Sequence, residues 1–129
     1  MESKKVKSEH GDLDLKIYNY DSNGRLAILL YKEDGELYSD LTINLHDMII
    51  NSTGEAYLSS DMQSLSKKII DDLKKDGVIE KSMGFYKYNY GEYELVRFNL
   101  DKLKEYDPDG FEKFYHDTIN YEDHYKLGI

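Results

Sequence analysis

Apolar and polar positions in the first third of the chain follow the patterns of β-strands. Residues 13–18 alternate with a period of two, which is typical of a strand buried on one face. A denser apolar run at 25–32 is expected for a central strand, and residues 37–45 predict a third strand. Turn sequences rich in Asp, Asn and Gly separate these segments at 21–24 and 33–36. The pattern therefore predicts an antiparallel meander.

A helix is expected after the meander, and both of its ends are marked in the sequence. Ser60 and Gln63 form a capping box, in which each side chain satisfies a free backbone N–H of the first turn. Gly77 is the type of residue that ends a helix in a left-handed conformation. The sequence predicts a helix at about 61–75. Its apolar stripe consists of Met62, Leu65, Ile69, Ile70 and Leu73.

The remaining segments predict more strands and short helices. Residues 55–58 predict a short strand, and residues 85–98 predict one or two strands. Asn99 or Asp101 can cap a short helix, and Asp107 before a proline marks the start of another. We therefore expect an α+β fold. It has a mainly antiparallel sheet of four to five strands, one central helix on a face, and short C-terminal helices.

Composition indicates one domain without disulfides. A chain of 129 residues fits a single domain, and the absence of cysteine excludes disulfide frameworks and thiolate chemistry. No apolar run approaches the ~18 residues that a membrane helix needs. Residues 1–12 hold no apolar block, so we expect a flexible tail there instead of a secretory signal. Residues 13–129 are predicted to form a single α+β domain in the cytoplasm.

Negative charge is concentrated in one part of the sequence. The net charge is −9, and residues 33–64 contribute seven acidic residues without any Lys or Arg. These acids are Glu33, Asp34, Glu36, Asp40, Asp47, Glu55 and Asp61. Such a field repels nucleic-acid phosphates and attracts cationic protein surfaces, so direct binding to nucleic acid is not expected. A purely solubilising role is the alternative explanation.

The aromatic residues are mostly tyrosines. Thirteen of the aromatic side chains are Tyr and four are Phe. If the strand is extended, Tyr86, Tyr88 and Tyr90 project to one side of it. This face is either core covered by the C-terminal helix or an anchor patch for a protein partner. A platform for stacking bases is a third interpretation, but it lacks a basic groove nearby.

Residues that could carry catalysis are scattered. The sequence has neither a GxGxxG motif after a strand nor a GxxxxGK[ST] motif to bind phosphate. The histidines are His10, His46, His116 and His124, and none has the close spacing of metal ligands. We therefore predict no catalytic residue, no metal site and no cofactor. An enzyme would need a pocket that gathers two of His46, His116 and His124 with carboxylates.

Three blocks of sequence carry a resemblance to a known family. They are GRLAILLY at 24–31, EDGELY at 33–38 and LTINL at 41–45. Together with AYL at 56–58 and YELVRF at 93–98, they resemble short bacterial proteins that share a domain of unknown function. Members of that family occur on conjugative elements, plasmids and prophages. The resemblance covers roughly residues 24–112 and implies no catalytic residues.

The resemblance implies a genetic context, and the charge suggests a mechanism within it. Small acidic proteins of mobile elements often block restriction or CRISPR systems by occupying a cationic groove. We therefore expect a non-enzymatic inhibitor of the anti-CRISPR or antirestriction type, which mimics nucleic acid and binds a host nucleic-acid-binding protein. The predicted phosphate-like contacts are Glu33, Asp34, Glu36, Asp40, Asp47 and Glu55, and the predicted apolar anchors are Tyr86, Tyr88 and Tyr90.

The alternative is a self-associating structural or regulatory module, similar to an antitoxin. In this hypothesis the Tyr-rich strand pairs edge to edge with a second copy and forms a homodimer. Neither hypothesis requires catalysis, a membrane or direct contact with nucleic acid.

Overall fold

The computed structural model describes residues 3–9, 11–59 and 67–127, and residues 119–127 are described by their backbone alone. This part of the chain forms two antiparallel sheets and three helices. The first sheet has the spatial order β1 (Val6–Ser8), β2 (Gly11–Asn19), β3 (Leu26–Lys32), β4 (Leu37–Asp40). The second has the order β5 (Thr42–Ile43), β6 (Glu55–Leu58), β8 (Gly91–Phe98), β7 (Ile79–Tyr88). The helices are α1 (Lys67–Lys75), α2 (Leu100–Lys104) and α3 (Pro108–Leu127).

This architecture confirms the predicted α+β class and corrects its details. The strands form two four-stranded sheets, whereas one sheet of four to five strands was expected. The last helix, α3, has 20 residues and is not short. Among the described residues, no helix is both long enough and apolar enough to cross a membrane.

The chain passes from the first sheet to the second at Leu41, inside the segment predicted as one strand. The N–H of Leu41 donates to the carbonyl of Ile28 at 3.0 Å, and its own carbonyl accepts from the N–H of Ser59 at 2.9 Å. The buried hydroxyl oxygen of Thr42 then accepts from the N–H of Ile28 at 3.0 Å. Leu41 and Thr42 therefore link β3 of the first sheet to the end of β6 in the second.

The main core joins both sheets with all three helices. Leu13, Leu15 and Ile17 point into it, as the alternation in β2 predicted. The second sheet contributes side chains such as Leu58 and Val96. The helices add Ile69, Ile70 and Leu73 from α1, Leu103 from α2 and Phe114 from α3. Burial of these large side chains is the main source of stability for the fold.

The predicted central helix is confirmed over its described part. Ile69, Ile70 and Leu73 are buried in one stripe, and Gly77 follows with a φ of +79°. The N–H of Gly77 donates to the carbonyl of Lys74 at 3.1 Å, which closes the end of the helix as expected. The predicted capping box at 60–63 and the first part of the stripe lie outside the described residues.

The N-terminal segment is more ordered than the sequence predicts. Residues 6–8 form β1 and pair with residues 11–13 of β2, whereas a flexible tail was expected over 1–12. Val6 is buried in the main core. Lys5 and Lys7 form ion pairs with Asp14 and Asp12 of the neighbouring strand. One apolar residue with flanking lysines is too weak a pattern to predict a strand, because tertiary pairing supplies the stabilisation.

Candidate protein-binding surface

Four tyrosines share the outer face of the second sheet, which is turned away from the main core. Tyr86 lies directly opposite Tyr93, and Tyr57 lies opposite Leu95 on the neighbouring strand pair. The rings of Tyr57 and Tyr86 meet edge to face, with centroids 6.2 Å apart. Tyr88 lies on this face too, two residues beyond Tyr86. The predicted common face of Tyr86 and Tyr88 is therefore present, with Tyr57 and Tyr93 added to it.

Most of this face is covered by residues 44–53, a loop between β5 and β6. The expected cover, the C-terminal helix, packs on β2 of the first sheet instead. The side chains of this second cluster are Ile43, Leu45, Met48, Ile50, Tyr57, Met83, Tyr88, Tyr93 and Leu95. The hydroxyl of Tyr57 donates to the carbonyl of Ile49 at 2.8 Å, which fastens the loop to the sheet. The face is thus mainly a small core.

The exposed part is the tip of the β7–β8 hairpin. Tyr90 is fully exposed at the turn, beside Asn89, whose φ is +53°. Phe85 is 59% exposed and Tyr86 is 41% exposed. Tyr88 is half-buried, and its hydroxyl lies 3.5 Å from Oδ2 of Asp47. We call this end of the hairpin, which includes both sides of the sheet and the adjacent Asp47, the aromatic hairpin: Phe85, Tyr86, Tyr88, Tyr90 and Asp47.

Two of these positions differ from the sequence interpretation. Tyr90 lies on the turn and does not share the face of Tyr86 and Tyr88. Phe85 was not predicted as a surface residue. It lies opposite Glu94, on the side of the sheet where α1 packs, and it lines a cavity of about 330 Å³ with Leu58 and Ile70. The alternation of side chains along β7 would place Phe85 in the core, on the side of the sheet where α1 packs. The sequence pattern does not show that α1 leaves this ring exposed.

The acids of residues 33–64 do not form one surface. Glu33, Asp34 and Glu36 are exposed at the β3–β4 turn, at the same end of the first sheet as the β1–β2 turn. Lysines lie among them there. Lys32 is 3.8 Å from Glu36, and the ion pairs of Lys5, just before β1, and of Lys7, in β1, belong to the same end. Part of the negative charge at this end is therefore neutralised.

Asp40 and Asp47 lie elsewhere. Asp40 is exposed at the end of β4, near Tyr20. Asp47 follows a segment that contacts the β2–β3 turn, where Asn23 donates to Asn44 at 3.0 Å. That turn is at the opposite end of the first sheet from Glu33. The six carboxylates that were predicted as phosphate-like contacts therefore do not share one surface.

Glu55 has an internal role, which corrects its prediction as a surface contact. Its side chain is fully buried. Oε1 accepts from the N–H of Asn51 at 3.1 Å, and Oε2 accepts from the hydroxyl of Ser52 at 3.1 Å. Arg97, directly opposite on β8, places Nη2 3.4 Å from Oε2. Sequence position could not reveal this partner, because the two residues are far apart along the chain.

Burial raises the pKa of Tyr57, and the neighbouring Tyr86 adds to the shift while the Arg25 guanidinium opposes it. Burial likewise raises the pKa of Tyr20, although its hydrogen bond with Thr42 works in the other direction. Both phenols therefore remain neutral well above neutral pH and keep their hydroxyl hydrogens for hydrogen bonding.

The described histidines have separate surroundings. Nδ1 of His46 is 3.4 Å from the hydroxyl of Ser22, and Nε2 of His116 is 3.9 Å from Glu112. His10 and the side chain of His124 lie outside the described residues. Among the side chains that the structure describes, no group of three or more His, Asp or Glu residues is placed to hold a metal ion.

The long edge strand β7 is poorly suited to pairing with another strand. Its register against β8 shifts between Ile79 and Lys81, and again between Ser82 and Phe85, which marks two bulges. Lys81 and Lys87 are both exposed on it. Bulges and charged side chains are the usual protection of an edge strand against strand addition. Edge-to-edge pairing of two copies is therefore disfavoured.

A family of known proteins matches most of the chain. Residues 13–118 match a family described as "Domain of unknown function (DUF4313)". The match contains the blocks at 24–58 and 93–98 that carried the resemblance. Neither the curated proteins nor the solved structures that were searched include a match to the chain.

Proposed function

The chain belongs to the DUF4313 family, and we propose that it is a non-enzymatic protein that binds and inhibits a host nucleic-acid-binding defence protein in the cytoplasm. The aromatic hairpin is the contact surface in this proposal. The resemblance to proteins of conjugative elements, plasmids and prophages suggests the context, and restriction and CRISPR effectors are the corresponding partners.

The observation that carries the proposal is the contact of Asp47 with Tyr88 at the base of exposed aromatic rings. A carboxylate beside tyrosine faces suits an arginine side chain, which can form an ion pair and stack on a ring at once. Arginines line the grooves of proteins that bind nucleic acid. Tyrosine is also enriched at the energetic centres of protein interfaces.

We propose a different role for the acidic turn from the one expected from the sequence. Because Lys32 lies 3.8 Å from Glu36 and Lys5 interacts electrostatically with Glu33, these acids are poorly arranged to replace a row of phosphates. The net charge of −9 still attracts a cationic partner over distance. We assign the acidic turn to steering, which raises the association rate, and the aromatic hairpin to the bound contact.

The test is protection of phage in cells that carry a restriction or CRISPR system. Expression of the wild-type chain should raise phage plating, and the effector protein should co-purify with it. The double variant Tyr86→Ala/Tyr90→Ala should lose both effects, since it removes two exposed rings from the proposed contact surface, and neither ring belongs to a buried cluster. Tyr115→Ala is the matched control, because Tyr115 is a 53% exposed tyrosine on α3, outside the hairpin.

Two results would count against the proposal. One is unchanged plating with every restriction and CRISPR system tested. The other is full protection by the double variant, which would place the contact elsewhere. Light scattering on the same samples tests the self-association hypothesis, which predicts a dimer for the wild type and a monomer for the double variant.

A further inference from the structure

A cavity of about 430 Å³ lies at the surface between three separate segments. Residues 23–25 of the β2–β3 turn form one wall, residues 50–53 before β6 form the second, and Thr118 of α3 contributes the third. This volume is within the range of cavities that hold small molecules, roughly 300–1,000 Å³. None of the residues of the aromatic hairpin lines it.

The described lining of the cavity carries a positive charge, whereas the protein as a whole is negative. Among the described residues that line it, none is acidic and one, Arg25, is basic, although the net charge of the chain is −9. The guanidinium of Arg25 is held by a hydrogen bond from Nη1 to the carbonyl of Leu45 at 3.1 Å. That bond uses one of the five N–H groups of the guanidinium. A carboxylate or phosphate binds a guanidinium through two N–H groups, so enough donors remain for such a ligand.

Thr118 offers a donor from the opposite wall. Its hydroxyl oxygen accepts a hydrogen bond from Nδ2 of Asn19 at 3.2 Å. A hydroxyl that accepts in this way keeps its own hydrogen to donate. The guanidinium and this hydroxyl therefore present hydrogen-bond donors from two walls of one cavity.

The walls are fixed before any ligand arrives. Buried Glu55 accepts from Asn51 and Ser52 and so holds the second wall. In the first wall, Oδ1 of Asn23 accepts from the N–H of Arg25 at 3.1 Å. Such preorganisation lowers the entropy that is lost on binding.

We propose that this cavity binds a small molecule through a phosphate or carboxylate group, with Arg25 as the cationic contact and Thr118 as a neutral donor. The site is separate from the aromatic hairpin and does not depend on the proposed inhibition of a host protein.

The test is a titration of the ¹⁵N-labelled full chain, followed by amide chemical shifts. Inorganic phosphate and succinate are the two probes, each at an ionic strength held constant with sodium chloride. Saturable shifts should appear at the amides of residues 23–25 and 50–53. Shifts with phosphate alone, with succinate alone, or with both identify the group that the site accepts, and each supports the proposal.

Variants assign the binding to Arg25. Arg25→Gln should weaken binding by about ten-fold or more, because it removes a charge-assisted contact. Lys113→Gln is the matched control, since Lys113 lies on the same helix as Thr118 but lines a different cavity. It should bind the probe as the wild type does.

Three outcomes would overturn the proposal. They are the absence of saturable shifts in the wild type, shifts confined to amides away from the cavity, and equal weakening by Arg25→Gln and Lys113→Gln. If the spectrum of Arg25→Gln shows an unfolded chain, Arg25→Lys replaces it. Because lysine keeps the charge without the planar fork, that variant should bind more weakly than the wild type, and unchanged binding would contradict the role of Arg25.

Discussion

The carboxylate of Asp107 connects helix α3 to the backbone of Ile17, 90 residues earlier in the chain. Oδ2 accepts from the N–H of Ile17 at 2.9 Å, while Oδ1 caps α3 by accepting from the N–H of Gly110 at 3.1 Å. Strand β1 pairs only with residues 11–13 of β2. Asp107 therefore takes the place of a strand partner farther along the edge of β2.

Asp107→Ala should lower the free energy of unfolding by about 2–4 kcal/mol. The loss combines an N-cap, worth about 0.5–2 kcal/mol, with a buried N–H left unsatisfied, worth about 1–3 kcal/mol. Urea denaturation measures the change. Asp109→Ala is the control, because it removes an exposed acid from the same turn and should cost no more than about 1 kcal/mol. Equal losses would show that the bond to Ile17 contributes little.

Gly110→Ala should also be destabilising, although alanine favours helices. A Cβ at this position would collide with Oδ2 of Asp107 and would lie 2.9 Å from the carbonyl oxygen of Ile17. Relief of such crowding shifts the helix away from the strand and costs about 1–3 kcal/mol. The cost should be smaller in an Asp107→Ala background, where the carboxylate is absent. A double-mutant cycle by urea denaturation checks this coupling.

Glu55→Ala should loosen the loop that covers the second cluster. The variant removes the acceptor of the Asn51 N–H and leaves Arg97 without its ion-pair partner. Because Arg97 is 39% exposed, we expect a loss of about 2–4 kcal/mol, somewhat less than the ~3–5 kcal/mol typical of fully buried pairs. Hydrogen exchange at the Asn51 amide should accelerate. Glu55→Gln keeps an acceptor oxygen and should protect this amide better than alanine does; equal exchange rates in both variants would argue against the bond.

Stability should decrease above about pH 10, the ordinary pKa of tyrosine in an unfolded chain. Burial raises the pKa of Tyr18, Tyr20, Tyr57 and Tyr106 in the folded protein. Between the unfolded and the raised folded pKa, the unfolded state releases protons that the folded state retains, so the free energy of unfolding falls as pH rises. Well below pH 10 these tyrosines are protonated in both states, so they do not make the free energy of unfolding depend on pH. Denaturation midpoints from pH 8 to 11 check the fall, which should be shallower in Tyr57→Phe; an identical slope would exclude Tyr57 as a contributor.

Reversal of the acidic turn should change association more than dissociation. In Glu33→Lys/Asp34→Lys/Glu36→Lys, binding to a partner identified by co-purification should have a slower association rate and a weaker salt dependence. The dissociation rate should remain within about two-fold of the wild type, because the bound contact is the aromatic hairpin. Surface plasmon resonance at two salt concentrations separates the rates. A large rise in the dissociation rate would instead support direct contact of these carboxylates with the partner, as nucleic-acid mimicry requires.

Local patterns predicted the elements whose stabilisation is local. The alternation in β2, the apolar run of β3, the end of α1 at Gly77 and the cap at Asn99 are all present. These features depend on neighbouring residues, through side-chain periodicity, turn chemistry and capping. The acidic turn and the common face of Tyr86 and Tyr88 were predicted for the same reason.

Features that depend on distant contacts could not be predicted. The apolar period continues without a break through Leu41, Ile43 and Leu45, yet Leu41 belongs to the main core and the other two to the second cluster. Exposure of Glu55 was inferred from its charge, but its burial is set by Arg97 on another strand. The charge of a residue and its position in the apolar pattern indicate whether its side chain tends to be buried. Its actual burial depends on which segment of the chain packs over it.

The crossing at Leu41 has a consequence for how the protein unfolds. One residue donates to β3 and accepts from the end of β6, so separating the sheets breaks both bonds and exposes their shared apolar side chains. We therefore expect the two sheets to unfold together, so that calorimetry gives a single transition whose van't Hoff and calorimetric enthalpies agree. A destabilising substitution anywhere in the main core should therefore lower the stability of both sheets together.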